Sequence, residues 1–306
     1  MRLPFSKSSK QPRLMASEHM AGFFFALPCI LGVVIWVLGP MLYSLYLSLT
    51  SYDVLTPARF VGLANFQNLP GDELFWTSLY NTAYVTVLGV PIQMAVALGL
   101  ALILNQKVKG IAFFRTAFYL PSLTPAVASA ILWVWLLNNQ WGILNVILRA
   151  VGVHAPVWLG DPQWSKPAII LMQAWGAGAS MIIYLAGLQG VPEQLYEAAS
   201  IDGATDFQKF LHVTLPMLTP TIFFTAVIGI IGSLQVFTEA YILTQGGPLN
   251  STLFYVYYLF NNGFVYFKMG YAAAMAWILF AIVLVLTLIQ FRLGRLWVYY
   301  EAGEVR

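Results

Sequence analysis

Six long apolar runs, very little charge, and a single polar hairpin between the fourth and fifth runs predict an all-α polytopic membrane protein with six transmembrane helices. Of the 306 residues, 59% are hydrophobic and only 9% are charged, against about 25% charged in an ordinary soluble domain. Mean hydropathy is +0.75. Each run is about twenty residues or longer, the length that crosses a bilayer, and together they leave no room for a sizeable soluble domain. A net charge of +3 argues for no nucleic-acid partner. The single cysteine, Cys29, excludes an intramolecular disulfide framework and a multi-cysteine metal site. It lies inside the first run and reads as a small packing residue.

The elements follow in order. Residues 1–20 are polar and basic, with Arg2, Lys7, Lys10 and Arg13. The uncharged run at 21–49 is too long for a signal-peptide core, so it reads as the first transmembrane helix, bent at Pro28 or Pro40. A loop at 50–77 carries Asp53, Arg59, Asp72 and Glu73. The second helix spans 78–104, with Pro91 and Gln93 inside, and a short basic loop holds Lys107 and Lys109. The third spans 113–137, where Pro121 and Pro125 remove backbone donors and predict a kink. Residues 138–166 hold Trp141, Asn145, Trp158, Asp161 and Trp164, an interfacial segment with tryptophans at headgroup level. The fourth helix covers 167–189. The fifth covers 215–243 and is closed by Thr244-Gln245-Gly246-Gly247-Pro248. The sixth covers 269–291, with Gly270, Ala273, Ala274 and Ala276 as a small-residue surface for close packing, and ends at Arg292 and Arg295.

The polar hairpin at 192–220 holds Glu193, Glu197, Asp202, Asp206, Lys209 and His212 between two membrane-length runs, so it must lie outside the lipid. Pro192 suits a first helical position and Glu193 the first turn, where an acid complements the helix dipole. Leu195, Ala198, Ala199 and Ile201 give an apolar face at helical spacing. Asp202-Gly203 breaks the helix, with Gly203 able to take a left-handed cap. A second short helix is expected over 204–212, with Phe207, Phe210 and Leu211 on one side, before Leu215-Pro216 turns the chain into the fifth run.

Lysine and arginine counts orient the chain. Six spans put both termini, the 105–112 loop and the hairpin on one side, which carries eleven of the fifteen Lys and Arg residues. Only Arg59, Arg149, Lys166 and Lys268 fall on the other. The positive-inside rule makes the richer side cytoplasmic.

Glu197-Ala198-Ala199, then Asp202-Gly203-Ala204, then Leu215-Pro216, resembles the EAA signature of ABC importer permeases. With Pro192, Tyr196 and Pro220 the match is to the sugar-type branch. Phe60-Val61-Gly62-Leu63-Ala64-Asn65-Phe66 and Phe113-Phe114-Arg115 with Leu120-Pro121 are also similar to that branch. The 50–77 loop is too short for the extra periplasmic domain of the maltose permease, so the chain resembles the shorter members. The resemblance implies a type I ABC importer permease fold in a bacterial or archaeal inner membrane, with a cytoplasmic segment at 1–20, a permease domain at 21–293 and a cytoplasmic tail at 294–306. It implies that 190–214 is a coupling segment docking on an ATPase subunit through Glu193, Glu197, Ala198, Ala199, Asp202, Gly203, Ala204, Phe207 and Phe210. The implied partners are a second related permease, two ATPase subunits that bind ATP and Mg, an extracytoplasmic solute-binding protein, and a sugar.

No phosphate-binding loop occurs in the chain, so energy for active transport has to come from a partner. His19, His154 and His212 are far apart and make no metal-ligand set, and no nucleophile elbow is present. The chain itself is expected to be non-catalytic and free of cofactors. Glu239 is unusual, since an acid near the end of a span costs energy unless it faces a cavity or a partner. Two readings stand for it: an interfacial carboxylate, or an acceptor for sugar hydroxyls with Ser233, Gln235 and Phe237 close by. Through the resemblance, the fifth helix and the one before the hairpin line the substrate path, which implicates Gln173, Trp175, Ser180 and Tyr184; helix–helix packing is the plainer role for each. The alternatives are an ion-coupled secondary transporter, for which Glu239 is the only coupling candidate and no inverted pair of broken segments is seen, and a non-transporting membrane scaffold or enzyme.

Overall fold

A computed structural model of the chain describes residues 11–106 and 108–299, with side chains described from residue 20 onward. The basic residues Arg2, Lys7, Lys10, Arg13, Lys107 and Arg306 that contribute to the charge asymmetry lie outside those described side chains, as does most of the expected C-terminal tail. The described chain is helical nearly throughout. Its strand content is a two-residue antiparallel ladder that pairs Thr50 with Phe60 and Ser51 with Arg59. Among the described residues three helices are long and apolar enough to cross a membrane, and counting each of three bent pairs as one span, as the six apolar runs predict, gives up to six.

The first span, Met20–Ser48, is continuous. Neither Pro28 nor Pro40 breaks it; instead Val34–Leu38 widens to a π-turn just before Pro40. A proline ring clashes with the carbonyl four residues back and supplies no N–H, and a π-turn absorbs that misfit locally. The span touches the rest of the chain through Gly39–Ser48, which lies along the sixth span, where Trp277 Nε1 donates to Ser44 Oγ at 3.1 Å. Asp72 caps the second span, Glu73–Leu104, accepting from the backbone N–H groups of Leu74 and Phe75. That cap starts the helix five residues before the expected position. The second span is the central post, packed against the fourth and fifth spans and against the helix Tyr255–Phe260.

The third span turns by 100° between Ile111–Leu123 and Ala126–Leu136, a corner rather than a kink. Thr124 is extended, the conformation that a following proline favours, and Pro125 caps the next helix. The short helix Ile143–Ala150 follows. The fourth span, Ser165–Trp175 plus Gly178–Gln189, bends by 48°. A Cβ on Gly178 would lie 2.5 Å from the Phe118 carbonyl oxygen, so only glycine lets the third and fourth spans approach this closely. The fifth span runs from Asp206 through Met217, bends by 63° at Leu218, and continues as Thr219–Leu234. The turn therefore falls at Leu218 and not at Leu215-Pro216. The α-helix also stops at Leu234, short of residue 243; after a break at 235–237, a π-turn covers Ala240–Thr244.

The sixth span, Met269–Trp297, extends past the expected end at 291. Its buried residues are Gly270, Ala272, Ala274, Met275, Leu279 and Gly294, whereas Ala273 and Ala276 are half-buried. A polar web fixes the connection between the fifth and sixth spans. Asn81 Nδ2 donates to the carbonyls of Asn250 and Leu253, while its Oδ1 accepts from Lys166 Nζ at 3.0 Å. The Ser165 and Ser251 hydroxyls lie 2.8 Å apart, and the Tyr258 and Tyr271 hydroxyls both donate to Asp72 Oδ2 at 2.6 Å.

Most of the buried apolar residues fall into two clusters stacked along the bundle. One gathers Val85, Ile169, Met172, Leu234, Phe254, Tyr255 and Met275. The other gathers Ala97, Ala101, Met181, Leu185, Leu188 and Leu218.

Candidate functional sites

The hairpin is built by its caps. Pro192 is the N-cap of Glu193–Ile201, one position earlier than expected, and Glu193 occupies the first turn. At the other end the N–H of Gly203 donates to the Ser200 carbonyl and that of Ala204 to the Ala199 carbonyl at 2.9 Å. This is the double hydrogen-bond closure of a Schellman motif. It holds Gly203 at φ +79°, a left-handed conformation that favours glycine. Thr205 then forms a capping box with Gln208 and starts the second helix at Asp206, two residues later than expected. That helix does not end at His212; it continues through a π-turn, Phe210–Thr214, into the fifth span.

The hairpin is almost bare. Glu193, Glu197, Ala198, Asp202, Gly203 and Phe207 are exposed, and Ala199, Ala204 and Phe210 are half-buried. Ile201 is 87% and Phe207 69% exposed, beside the exposed Leu195. The hydroxyls of Tyr196 and Thr214, 2.9 Å apart, tie the first helix of the hairpin to the base of the fifth span. A shallow cleft of about 260 Å³ runs beside the bend, walled by Asp202, Gly203, Gln208 and His212.

A second site lies between the two apolar clusters. On the second span the cavity-lining residues Val90, Gln93 and Met94 fall between Val85 of one cluster and Ala97 of the other. On the fifth span, residues 224–233 of the lining fall between Leu218 and Leu234. This puts the cavity, about 400 Å³, midway along the bundle. Six of the eight side chains proposed from sequence line it: Gln173, Ser180, Ser233, Gln235, Phe237 and Glu239. Trp175 and Tyr184 do not. Trp175 packs edge-on against Trp133, with ring centroids 5.9 Å apart. Tyr184 is buried in the second cluster and shares a 2.6 Å hydrogen bond with the Thr225 hydroxyl.

Sequence reading passed over Gln93, Thr225 and Thr238, which also line the cavity. Gln93 is the one polar side chain in the otherwise apolar stretch 87–104, and that was the available signal. The Thr86 and Ser233 hydroxyls, 3.0 Å apart, join the second and fifth spans at its edge. Phe237 stacks on Tyr241 at 5.4 Å. Glu239 sits beyond the helix break at 235–237 and makes no hydrogen bond or ion pair with a described side chain. No Lys, Arg or His lines the cavity among the described residues. Amides, hydroxyls, one carboxylate and an aromatic ring are suited to a neutral polyhydroxyl ligand. No group of three or more potential metal ligands occurs among the described residues.

Residues 93–298 match the family model described as binding-protein-dependent transport system inner membrane component. The chain is 44% identical over 300 residues to a probable ABC transporter permease protein, YesP, of Bacillus subtilis, covering 96% of this chain and 97% of that one. It is 39% identical over 282 residues to the lactose transport system permease protein LacF of Rhizobium radiobacter, covering 90% and 94%. A chain of a crystal structure of a bacterial alginate ABC transporter, solved in complex with alginate pentasaccharide-bound periplasmic protein, superposes with a TM-score of 0.81 at 25% identity, covering 94% of this chain and 98% of that one.

Proposed function

The chain belongs to the family of binding-protein-dependent transport system inner membrane components, and we propose that it forms half of the translocation path of an ATP-driven sugar importer. The naming of its relatives as lactose, arabinooligosaccharide and trehalose/maltose transport system permeases supports a carbohydrate cargo. The reading as an ion-coupled carrier working alone loses its support to that membership.

The hairpin is the observation that carries the mechanism. A bare helix pair with Leu195, Ile201 and Phe207 facing outward is the form of a helix that docks in a groove. Two ATPase subunits supply the groove and the ATP and Mg chemistry, a second permease completes the path, and an extracytoplasmic solute-binding protein delivers the sugar. Both termini and the hairpin are cytoplasmic, a reading that rests on the Lys and Arg count. The membrane domain runs over 21–293, between a short N-terminal segment and a C-terminal tail. ATP binding shifts the docked hairpins, and the permease pair rocks from inward-open to outward-open. ATP moves this equilibrium only by the difference in its affinity for the two states. Gln173, Ser180, Ser233, Gln235 and Glu239 hold the sugar's hydroxyls during passage, with Phe237 as an apolar plate.

The test is gentle extraction of the tagged chain from its native membrane and mass spectrometry of what comes with it. An ATPase and a second EAA-bearing permease are expected. Repeated recovery of the chain alone in several detergents would overturn the coupling role of the hairpin.

A further inference from the structure

The helix Ile143–Ala150 has no part in the hairpin or the cavity, and its surface is unusual. Leu144, Asn145 and Leu148 face the protein, while Ile143, Val146 and Ile147 are exposed and form one stripe at i, i+3, i+4 spacing. The stripe contains no polar side chain. Its orientation is set by a clamp: Trp158 Nε1 donates to Asn145 Oδ1 at 2.7 Å, and Asn145 Nδ2 donates to the carbonyls of Asn139 and Pro156. Trp158 is thus an internal fastener, while Trp141 is exposed and packs edge-on against Trp135, with ring centroids 5.6 Å apart.

We propose that Ile143–Ala150 is an in-plane membrane anchor whose Ile143–Val146–Ile147 stripe lies in the boundary between lipid headgroups and acyl chains. Connectivity places it at that depth, because it begins seven residues after Leu136 closes the third span, and the fourth span opens at Ser165. The stripe also continues an exposed apolar surface. Leu132 and Trp135 of the preceding helix are exposed, and the Trp135–Trp141 pair bridges the gap, as aromatic residues do at a membrane interface. Arg149, the one charge on the helix, is drawn back onto the carbonyls of Asn139 and Gln140, which leaves the stripe uninterrupted. A soluble partner that docks and departs would leave this aliphatic stripe in water for part of every cycle, whereas lipid covers it throughout.

The test uses the transporter purified with its co-purifying subunits and placed in lipid nanodiscs. Cys29→Ser removes this chain's only native thiol, the complex carrying that change alone gives the labelling background of the other subunits, and a nitroxide is attached at Ile147→Cys, or at Val146→Cys as a second probe of the same stripe. References are Trp36→Cys near the middle of the first span and Leu55→Cys in the first loop, both strongly exposed. Power saturation by oxygen and by a water-soluble nickel chelate reads the depth. The expected result is a higher accessibility to oxygen than to nickel at 146 and 147, with a ratio below that at 36 and above that at 55. Greater accessibility to nickel would show a water-facing stripe. Shielding from both would show a protein cover. Either outcome overturns the proposal.

Discussion

Gly203 and Glu239 concentrate the functional claims. At φ +79° a β-branched side chain is strained, so Gly203→Val should open the bend. We expect uptake into vesicles to fall sharply while ATP hydrolysis by the complex persists; unchanged uptake would show that the bend has no role in coupling. Glu239→Gln keeps the shape and removes the charge. Losing one charge-assisted hydrogen bond to a sugar hydroxyl should raise the apparent KM for uptake about tenfold, with assembly unaffected; identical uptake kinetics would remove Glu239 from the ligand set. Asp72 tests stability instead. Burial pushes its carboxyl up, but hydrogen bonds from Tyr258, Tyr271 and the N–H groups of Phe75 and Leu74 outweigh this and hold it below the usual carboxylate range. Burial and the same carboxylate push the Tyr258 phenol up to about 12. Because the folded pKa is depressed, the stabilisation is full above the ordinary aspartate value of about 3.9 and is lost as pH falls through the folded value. Asp72→Ala should therefore lower the melting midpoint at pH 7, by about 1–2 kcal/mol of stability, and the deficit should shrink in acid.

Among the helices and their connections, composition and hydrophobic run length made the spans legible, because lipid demands long uncharged stretches. The bends were less legible. Pro121 and Pro125 announced a disturbance, but a 100° corner depends on how Ala126–Leu136 packs against the π-turn Ala240–Thr244, and no local pattern encodes that. Pro216 and Pro220 announced a turn near Leu218 without fixing its place or its size; the 63° bend arises where the Leu218 side chain is buried in the second cluster. The same limit explains the cavity. Polar residues inside apolar runs are visible one by one, but Tyr184 is indistinguishable from a ligand until Thr225 on another span is seen to satisfy its hydroxyl. Gly270 shows the opposite case, a small residue whose purpose is close approach. A Cβ there would lie 2.0 Å from the Thr50 carbonyl oxygen, so Gly270→Ala should force the first loop off the sixth span at a cost of about 1–3 kcal/mol, read as a lower melting midpoint of the purified complex.

Across the bundle, rigid-body rocking requires that contacts within one chain persist through the cycle. The Ser165 and Ser251 hydroxyls join the fourth span to the connection before the sixth, and neither residue lines the cavity. Ser165→Cys with Ser251→Cys, in a Cys29→Ser background, should form a disulfide on oxidation and leave uptake largely intact. Loss of uptake on oxidation, regained on reduction, would mean that this connection leaves the fourth span in every cycle, and rocking as a unit would be wrong. The bend at Leu218 then acquires a mechanical meaning. From Asp206 to Leu234 the fifth span is a cranked lever: the hairpin is its short arm, Leu218 its fulcrum, and Thr219–Leu234, ending at the cavity wall, its long arm. At 1.5 Å per residue the long arm is about 24 Å, so a rotation of about 10° at the fulcrum sweeps its tip by about 4 Å. Under the proposed rocking of the chain as one body, a displacement at the hairpin is thereby carried to the cavity wall with the contact between the Thr86 and Ser233 hydroxyls intact.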